Sequence, residues 1–200
     1  MSAEARIMEY ARTNGDPVPA VEELSDDSLD MVMERIDGTD MVQSMTKRPW
    51  TIARQGRLLA ELHHRLHDLA APTWLPDAQV AQGDRLLHLD LHPLNVIMSH
   101  KGPVVIDWTN ARRGDPAADV ALTWVLIAAG EVPGNPFVGT VLGRARSVLL
   151  RNFLRSFDVN AITPSLHDVV AWKVLDPHMS TAEQARMWKV VQKAGHAPSE

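Results

Sequence analysis

HLDLHPLNVIMSHKGPVVIDW, His88 to Trp108, is the stretch around which the rest of the chain is arranged. Leu86-Leu87 enters it as a short apolar segment, and Pro93 keeps its middle from continuing as a regular helix or strand. Val96-Ile97-Met98 and Val104-Val105-Ile106 are two short runs rich in β-branched residues, separated by a loop containing Gly102-Pro103. The pattern predicts a strand-loop-strand hairpin. Asn95 would stand just before its first strand and Asp107 at the end of its second, so both side chains fall at one end. An Asp and an Asn converging there can hold Mg²⁺ through hard oxygens, with water and phosphate oxygens completing the octahedron. Asp90, on the preceding loop, is free to orient a hydroxyl or accept its proton. Together the three point to phosphoryl-transfer chemistry. Taken singly, each has a plainer reading as a turn former or surface carboxylate. It is their order and spacing that argues for chemistry. His88 is expected to stabilise the loop backbone, and His92 fits either that role or a chemical one.

The order of motifs resembles the catalytic core of the aminoglycoside phosphotransferase and choline kinase-like family, relatives of the protein kinases. Protein kinases carry H-R-D-x-x-x-x-N followed by D-F-G. The small-molecule branch shows H-G-D-x-H-x-x-N and then I-D-W/F. Here stand His88-Leu89-Asp90-Leu91-His92-Pro93-Leu94-Asn95 and Ile106-Asp107-Trp108, with Gly114-Asp115-Pro116-Ala117-Ala118-Asp119-Val120-Ala121 matching the family's G-D-P-x-x-D-L-A. The resemblance implies Asp90 as catalytic base, Asn95 and Asp107 as Mg²⁺ ligands, and Asp119 as a brace accepting backbone hydrogen bonds of the catalytic loop. It extends towards the N-terminus. Glu4 would be the helix glutamate that pairs with a phosphate-binding lysine. Met33-Glu34-Arg35-Ile36 would be the hinge whose backbone meets the adenine of ATP or GTP.

The implied fold is α+β and protein kinase-like: a mainly helical C-terminal lobe, residues 39–200, and a truncated N-terminal lobe with the hinge, residues 1–38. No G-x-G-x-x-G occurs in the chain, and only Met1-Ser2-Ala3 precede Glu4. The resemblance therefore covers residues 3 to about 130 but only the lower part of a nucleotide site. Three readings stay open: loss of an upstream segment, a roof supplied by another chain, and a non-catalytic, pseudokinase-like module that binds a nucleotide or a partner. As an enzyme, the chain would move the γ-phosphoryl of ATP or GTP to a hydroxyl of a small molecule, aminoglycoside-like by resemblance.

Composition bounds the alternatives. A formal net charge of −5 leaves no basic footprint for nucleic acid. The absence of cysteine rules out a disulfide scaffold and fits a reducing, cytoplasmic setting. The N-terminus is charged from residue 4 without an apolar segment behind it, and no apolar run approaches a membrane span. A zinc site is not expected either, since the histidines lack supporting spacing.

Along the chain, residues 3–13 read as a helix with Ala3, Ile7, Met8 and Ala11 on one face and Asn14-Gly15 as its stop. Pro17-Val18-Pro19 reads as an extended linker. Asp26-Asp27-Ser28 should turn into a strand over Leu29 to Ile36, broken by Asp37-Gly38, and its bare edge should pair with a second copy. Pro49 to Leu69 reads as a long amphipathic helix, with His63, His64 and His67 along its polar flank. Arg112 and Arg113 fit either a phosphate contact or solvent. A buried helix is expected from Asp119 to Ala129, then a loop at Pro133-Gly134-Asn135-Pro136. From Phe137 to Phe157 another helix should turn Val141, Leu142, Ala145, Val148, Leu149 and Phe153 inward and Arg144, Arg146, Arg151 and Arg155 outward. Two more helices are expected, Pro164 to Leu175 capped by Thr163 and Thr181 to Ala194, with Trp172 and Trp188 as packing residues.

Overall fold

A computed structural model of the chain describes residues 2–25, 30–130, 136–177 and 179–195, with side chains for all of these except 136–142. The expected turn at Asp26-Asp27-Ser28, the loop at Pro133-Gly134-Asn135 and the inward faces of Val141 and Leu142 lie outside the described residues and side chains.

Helix α1, Ala3–Thr13, starts on Ser2, whose hydroxyl accepts from the Ala5 amide, and buries Ala5, Ile7, Met8 and Ala11. Ala5 takes the inward place expected of Ala3, which is exposed. The helix closes as sequence predicts. Gly15, at φ 95°, lets the Gly15 and Asp16 amides return to the Arg12 and Ala11 carbonyls, a Schellman motif. Strand β1, Val21–Leu24, then pairs antiparallel with β2, Met31–Met33.

The expected strand to Ile36 therefore stops short. Past Met33, the Glu34 amide still donates to the Ala20 carbonyl at 2.8 Å, but the next partner along would be Pro19, which has no N–H to offer. Nor does Gly38 end a strand; it opens β3, Gly38–Asp40. A Cβ built at Gly38 would lie 2.6 Å from the Met98 carbonyl oxygen, so only glycine can approach that neighbour. β3 pairs antiparallel with β5, Val96–Ser99, which pairs in turn with β6, Gly102–Val105. This three-stranded sheet holds the predicted hairpin.

Asp40 caps α2, Met41–Lys47, a short helix sequence reading missed. The expected long helix begins as a 3₁₀ turn at Pro49–Thr51 and continues as α3, Ile52–His67. It ends two residues early because Leu69 has left the helix to accept from the Leu86 amide of β4, Arg85–Leu87. β4 pairs with β7, Arg112–Gly114, and the two strands bracket the motif region.

The remaining helices are α4, Pro116–Ala129, α5, Pro136–Leu154, α6, Val159–Ile162, α7, Ser165–Lys173, and α8, Thr181–Gly195. The main core gathers Leu59, Leu62 and Leu66 of α3, Leu122 and Val125 of α4, Leu149 and Phe153 of α5, and Val169 and Val170 of α7. The architecture is α+β, mainly helical with small sheets. Among the described residues no helix is long and apolar enough to cross a membrane.

Three helix expectations are corrected. Val148 is exposed, because α5 turns Leu149 and Phe153 inward and Val148 lies off that stripe. Arg146 is not outward. Its guanidinium donates to the Ala128 and Gly130 carbonyls, satisfying the C-terminus of α4, where a cation is favoured. Thr163 closes α6 rather than capping α7, its hydroxyl donating to the Val159 carbonyl. Ser180 and Glu183 form a reciprocal capping box at the start of α8.

Candidate active site

The loop from His88 to Asn95 is held from below by Asp119. Asp115 caps α4 by accepting from the Ala117 amide, and Pro116 occupies the first helical position, where its missing N–H costs nothing. Asp119 then falls one turn in, fully buried, and aims back at the loop. Its Oδ2 accepts from the His88 amide at 3.0 Å and its Oδ1 from the Leu89 amide at 2.9 Å. His67 Nε2 adds a third bond at 3.0 Å. Burial pushes the Asp119 carboxyl up, but the His67 hydrogen bond and the neighbouring charges and amides outweigh it, holding it well below the usual carboxylate range.

Two backbone outliers lie in this region. Leu89 sits at φ 55° and Asp107 at φ 63°, the left-handed region that non-glycine residues avoid. The Leu89 side chain is buried all the same. Strain of this kind clusters at functional sites.

His88 is buried, and its Nε2 donates to the Ile106 carbonyl at 3.2 Å, tying the loop to the end of the hairpin. That bond leaves Nδ1 without a proton, and it has no partner. Burial keeps the ring neutral, lowering its pKa against the pull of Asp119 and Asp90. Its ring packs on Trp108 at 4.9 Å between centroids.

The hairpin puts Asn95 and Asp107 at the same end, as sequence reading expects. Val96 pairs with Val105, and the Ile106 amide donates to the Asn95 carbonyl at 3.0 Å. The Asn95 side-chain amide donates to the Asp90 carbonyl at 2.9 Å and to Asp90 Oδ2 at 3.2 Å. With both donors turned to Asp90, the Asn95 Oδ1 is left as an acceptor. Asp90 Oδ1 faces two cationic or potentially cationic groups, His92 Nε2 at 3.7 Å and Lys173 Nζ at 4.0 Å. His92 Nδ1 accepts from the Leu94 amide, so its proton sits on the nitrogen facing Asp90.

Beside the hairpin lies a cleft of about 360 Å³ lined by Glu4, Met8, Pro19, Met33, Glu34, Ile36, Ile97, Ile106 and Asp107. Most of these walls are apolar. Three of the four residues expected at the hinge face it, and Glu4 and Asp107 share it. Arg35 does not; its side chain is 91% exposed and paired with Asp37. Glu4 Oε1 accepts from the Trp108 amide at 3.3 Å, linking α1 to the Asp107 turn.

Other sequence expectations are corrected here. His63 and His67 are not on a polar flank. His63 is fully buried, its Nδ1 against the Leu59 carbonyl and its Nε2 against the Thr123 hydroxyl, and His67 is taken up by Asp119. Only His64 is exposed, resting on Phe157. Arg112 and Arg113 serve structure: Arg112 donates to the Ala111 carbonyl, and Arg113 donates to the Gly83 carbonyl and pairs with Asp77. Sequence reading missed Lys173 and Thr123, whose hydroxyl donates to the Leu91 carbonyl inside the loop at 2.8 Å. Neither stands in a local motif.

A loop carrying an Asp and an Asn, a hairpin leading to a second Asp in left-handed backbone, and a buried aspartate bracing the loop from the next helix are laid out on a protein kinase-like fold. The chain is similar to an amicoumacin kinase, hAmiN, solved in complex with AMP-PNP, Ca²⁺ and Ami, with a TM-score of 0.53 and 12% identity. The match covers 96% of this chain and 75% of that one, and at this identity it speaks to fold. Residues 64–151, from the end of α3 into α5, match the model of the phosphotransferase enzyme family, APH. Over those residues the chain is similar to that family. No curated protein matches it.

Proposed function

We propose that the protein is a small-molecule phosphotransferase that moves the γ-phosphoryl of ATP or GTP to a hydroxyl, with Asp90 as base and Asn95 and Asp107 holding Mg²⁺. The observation that carries this reading is the orientation of Asn95. Its two amide donors are turned to Asp90, leaving Oδ1 at the same end of the hairpin as the Asp107 carboxylate. Among the described residues no three His, Cys, Asp or Glu side chains converge to cage a metal. Two hard oxygen ligands with the rest left to water and phosphate is the habit of Mg²⁺ in phosphoryl-transfer sites. When bound, the ion would neutralise phosphate charge and orient the nucleotide.

The chain's own groups supply the rest. Asp90 Oδ2 is fixed by Asn95, which leaves Oδ1 to orient the acceptor hydroxyl and take its proton. The apolar cleft suits a purine ring, with Met33, Glu34 and Ile36 along its hinge side. His88, Asp119 and Glu4 support the site by holding the loop and the Asp107 turn. The division into residues 1–38 and 39–200 belongs to the same reading, with the hinge at the end of the first part. So does a homodimer through β2, where Val32 and Met33 are exposed in a two-stranded sheet.

The test is thermal unfolding with ATP, with and without Mg²⁺, alongside an ADP-release assay. Nucleotide at about 100 times its Kd should stabilise the protein by about 2.7 kcal/mol. That corresponds to roughly 5–11 °C for a domain this size. Asp107→Ala should abolish the Mg²⁺-dependent part. Asp90→Asn should keep the shift and lose about 10²–10⁴-fold in turnover. Unchanged transfer in Asp90→Asn would remove Asp90 as the base, and no shift at millimolar ATP would remove the nucleotide site.

A further inference from the structure

We infer that Lys173 makes the acceptor site selective for small hydroxy acids, in which the reacting hydroxyl is flanked by a carboxylate, over polycationic acceptors. The inference rests on the phosphotransferase reading above and deepens it. Lys173 is the last residue of α7, and its side chain is only 13% exposed. Its Nζ donates to Asp176 Oδ2 at 3.2 Å and stands 4.0 Å from Asp90 Oδ1.

Three points follow from these distances. The Asp176 bond anchors the ammonium with one of its three donors. The Asp90 contact is too long for a hydrogen bond, so it is an ion pair with donors still to offer. And with Asn95 holding Oδ2, Oδ1, which His92 Nε2 also faces at 3.7 Å, is the oxygen that the base role above leaves for the acceptor. Lys173 thus stands beside the oxygen on which the reacting hydroxyl would rest, within reach of a group next to that hydroxyl.

The chemistry of that group decides recognition. An ammonium neighbouring the hydroxyl, as in an aminoglycoside, would meet a like charge held in place by Asp176. A carboxylate there would receive a charge-assisted hydrogen bond from Lys173. Drawing the ammonium towards itself, it would leave Asp90 Oδ1 to the hydroxyl. In the transfer, the acceptor oxygen forms its bond to the γ-phosphorus as the β–γ bridging bond breaks and its electron pair leaves with ADP. The hydroxyl proton goes to Asp90, and the product is a phosphate ester that keeps its carboxylate.

The experiment compares glycerate, glycerol and kanamycin as probes on the full chain. Binding is read by ligand-observed NMR with and without Mg²⁺ and AMP-PNP, and transfer by ADP release with ATP. Glycerate should bind the wild type more tightly than glycerol, and kanamycin more weakly than it binds Lys173→Glu. Lys173→Met should weaken glycerate by about 10- to 100-fold, the range for losing one charge-assisted hydrogen bond, and leave glycerol nearly unchanged. Lys173→Arg should keep the preference, which separates charge from folding.

Wild-type protein that binds no glycerate, or binds it no better than Lys173→Met does, overturns the inference. So does wild-type transfer to kanamycin in preference to glycerate. Lysine-dependent glycerate binding without ADP release from any probe supports the Lys173 assignment and counts against the phosphotransferase reading alone.

Discussion

Asp119 is the residue through which the loop from His88 to Asn95 is tied to the helical core. It takes two loop amides and His67 inside a fully buried pocket. Replacing it with alanine strands those two donors and His67 together. Leaving buried groups unpaired costs about 1–3 kcal/mol each, and breaking a buried charged network about 3–5 kcal/mol. Asp119→Ala is therefore expected to destabilise the fold by at least about 3 kcal/mol, seen as a lower urea midpoint, and to lose any turnover with it. A variant within 1 kcal/mol of wild type would remove the brace.

Asp16 makes the opposite prediction. Burial pushes its carboxyl from the ordinary 3.8 up to about 6, against the lowering pull of Arg65 and His67, and its Oδ2 has no partner. A folded-state pKa above the unfolded one means that the native state holds the ionised form less readily. Above about pH 6 the group therefore disfavours folding, and the penalty fades as pH falls towards 4. Asp16→Asn should stabilise the protein by about 1–2 kcal/mol at pH 7.5, allowing for the solvent that still reaches the carboxyl, and by nearly nothing at pH 4. Urea unfolding of both proteins at the two values checks it; an equal gain at both would mean that ionisation is not the cause.

Among the elements, α3 and α5 meet most closely at Gly56. A Cβ there would lie 2.5 Å from the Leu149 carbonyl oxygen and 3.0 Å from the Asn152 Cβ. Helix propensity alone favours alanine over glycine by about 1 kcal/mol. Forcing two packed backbones apart costs about 1–3 kcal/mol. The clash is with backbone and should win, so Gly56→Ala is expected to lower the thermal midpoint, and a raised one would show that the helices can slide. The motif Gly114 to Asp119 divides the same way by physical role. Gly114 permits close approach to the Ala81 carbonyl and Leu87, Asp115 caps α4, Pro116 starts it and Asp119 reaches the loop.

At the scale of the molecule, stability is uneven. Nine residues of α4 are buried, from Ala118 to Ala129, whereas β1 and β2 form a two-stranded sheet with Val32 and Met33 exposed. Amides in a region with few buried apolar contacts open first. Hydrogen exchange should thus release the Met31–Met33 amides well before those of α4, and Mg²⁺ with ATP should slow the former if the cleft binds nucleotide. Equal protection in both regions would show that the molecule opens as one unit.

The same scale separates what could be read from the chain and what could not. Local order sufficed for the hairpin, the loop before it and the α4 signature, because turn residues and alternating β-branched runs act over a few positions. Asn95 and Asp107 fall at one end of that hairpin whatever packs around it. Strand length at Met33 was lost because it depends on Pro19 across the sheet, and α2 because its short run carries little periodicity. His63 looked solvent-facing on a helical wheel, yet α4 and α5 cover it. Lys173 reaches Asp90 only because α7 packs on α4. The sequence by itself determined the loop and the hairpin, since these rest on near-neighbour geometry. Tertiary structure alone decided which charges stand beside Asp90, because helix packing, not chain order, brings a residue from α7 to that carboxylate.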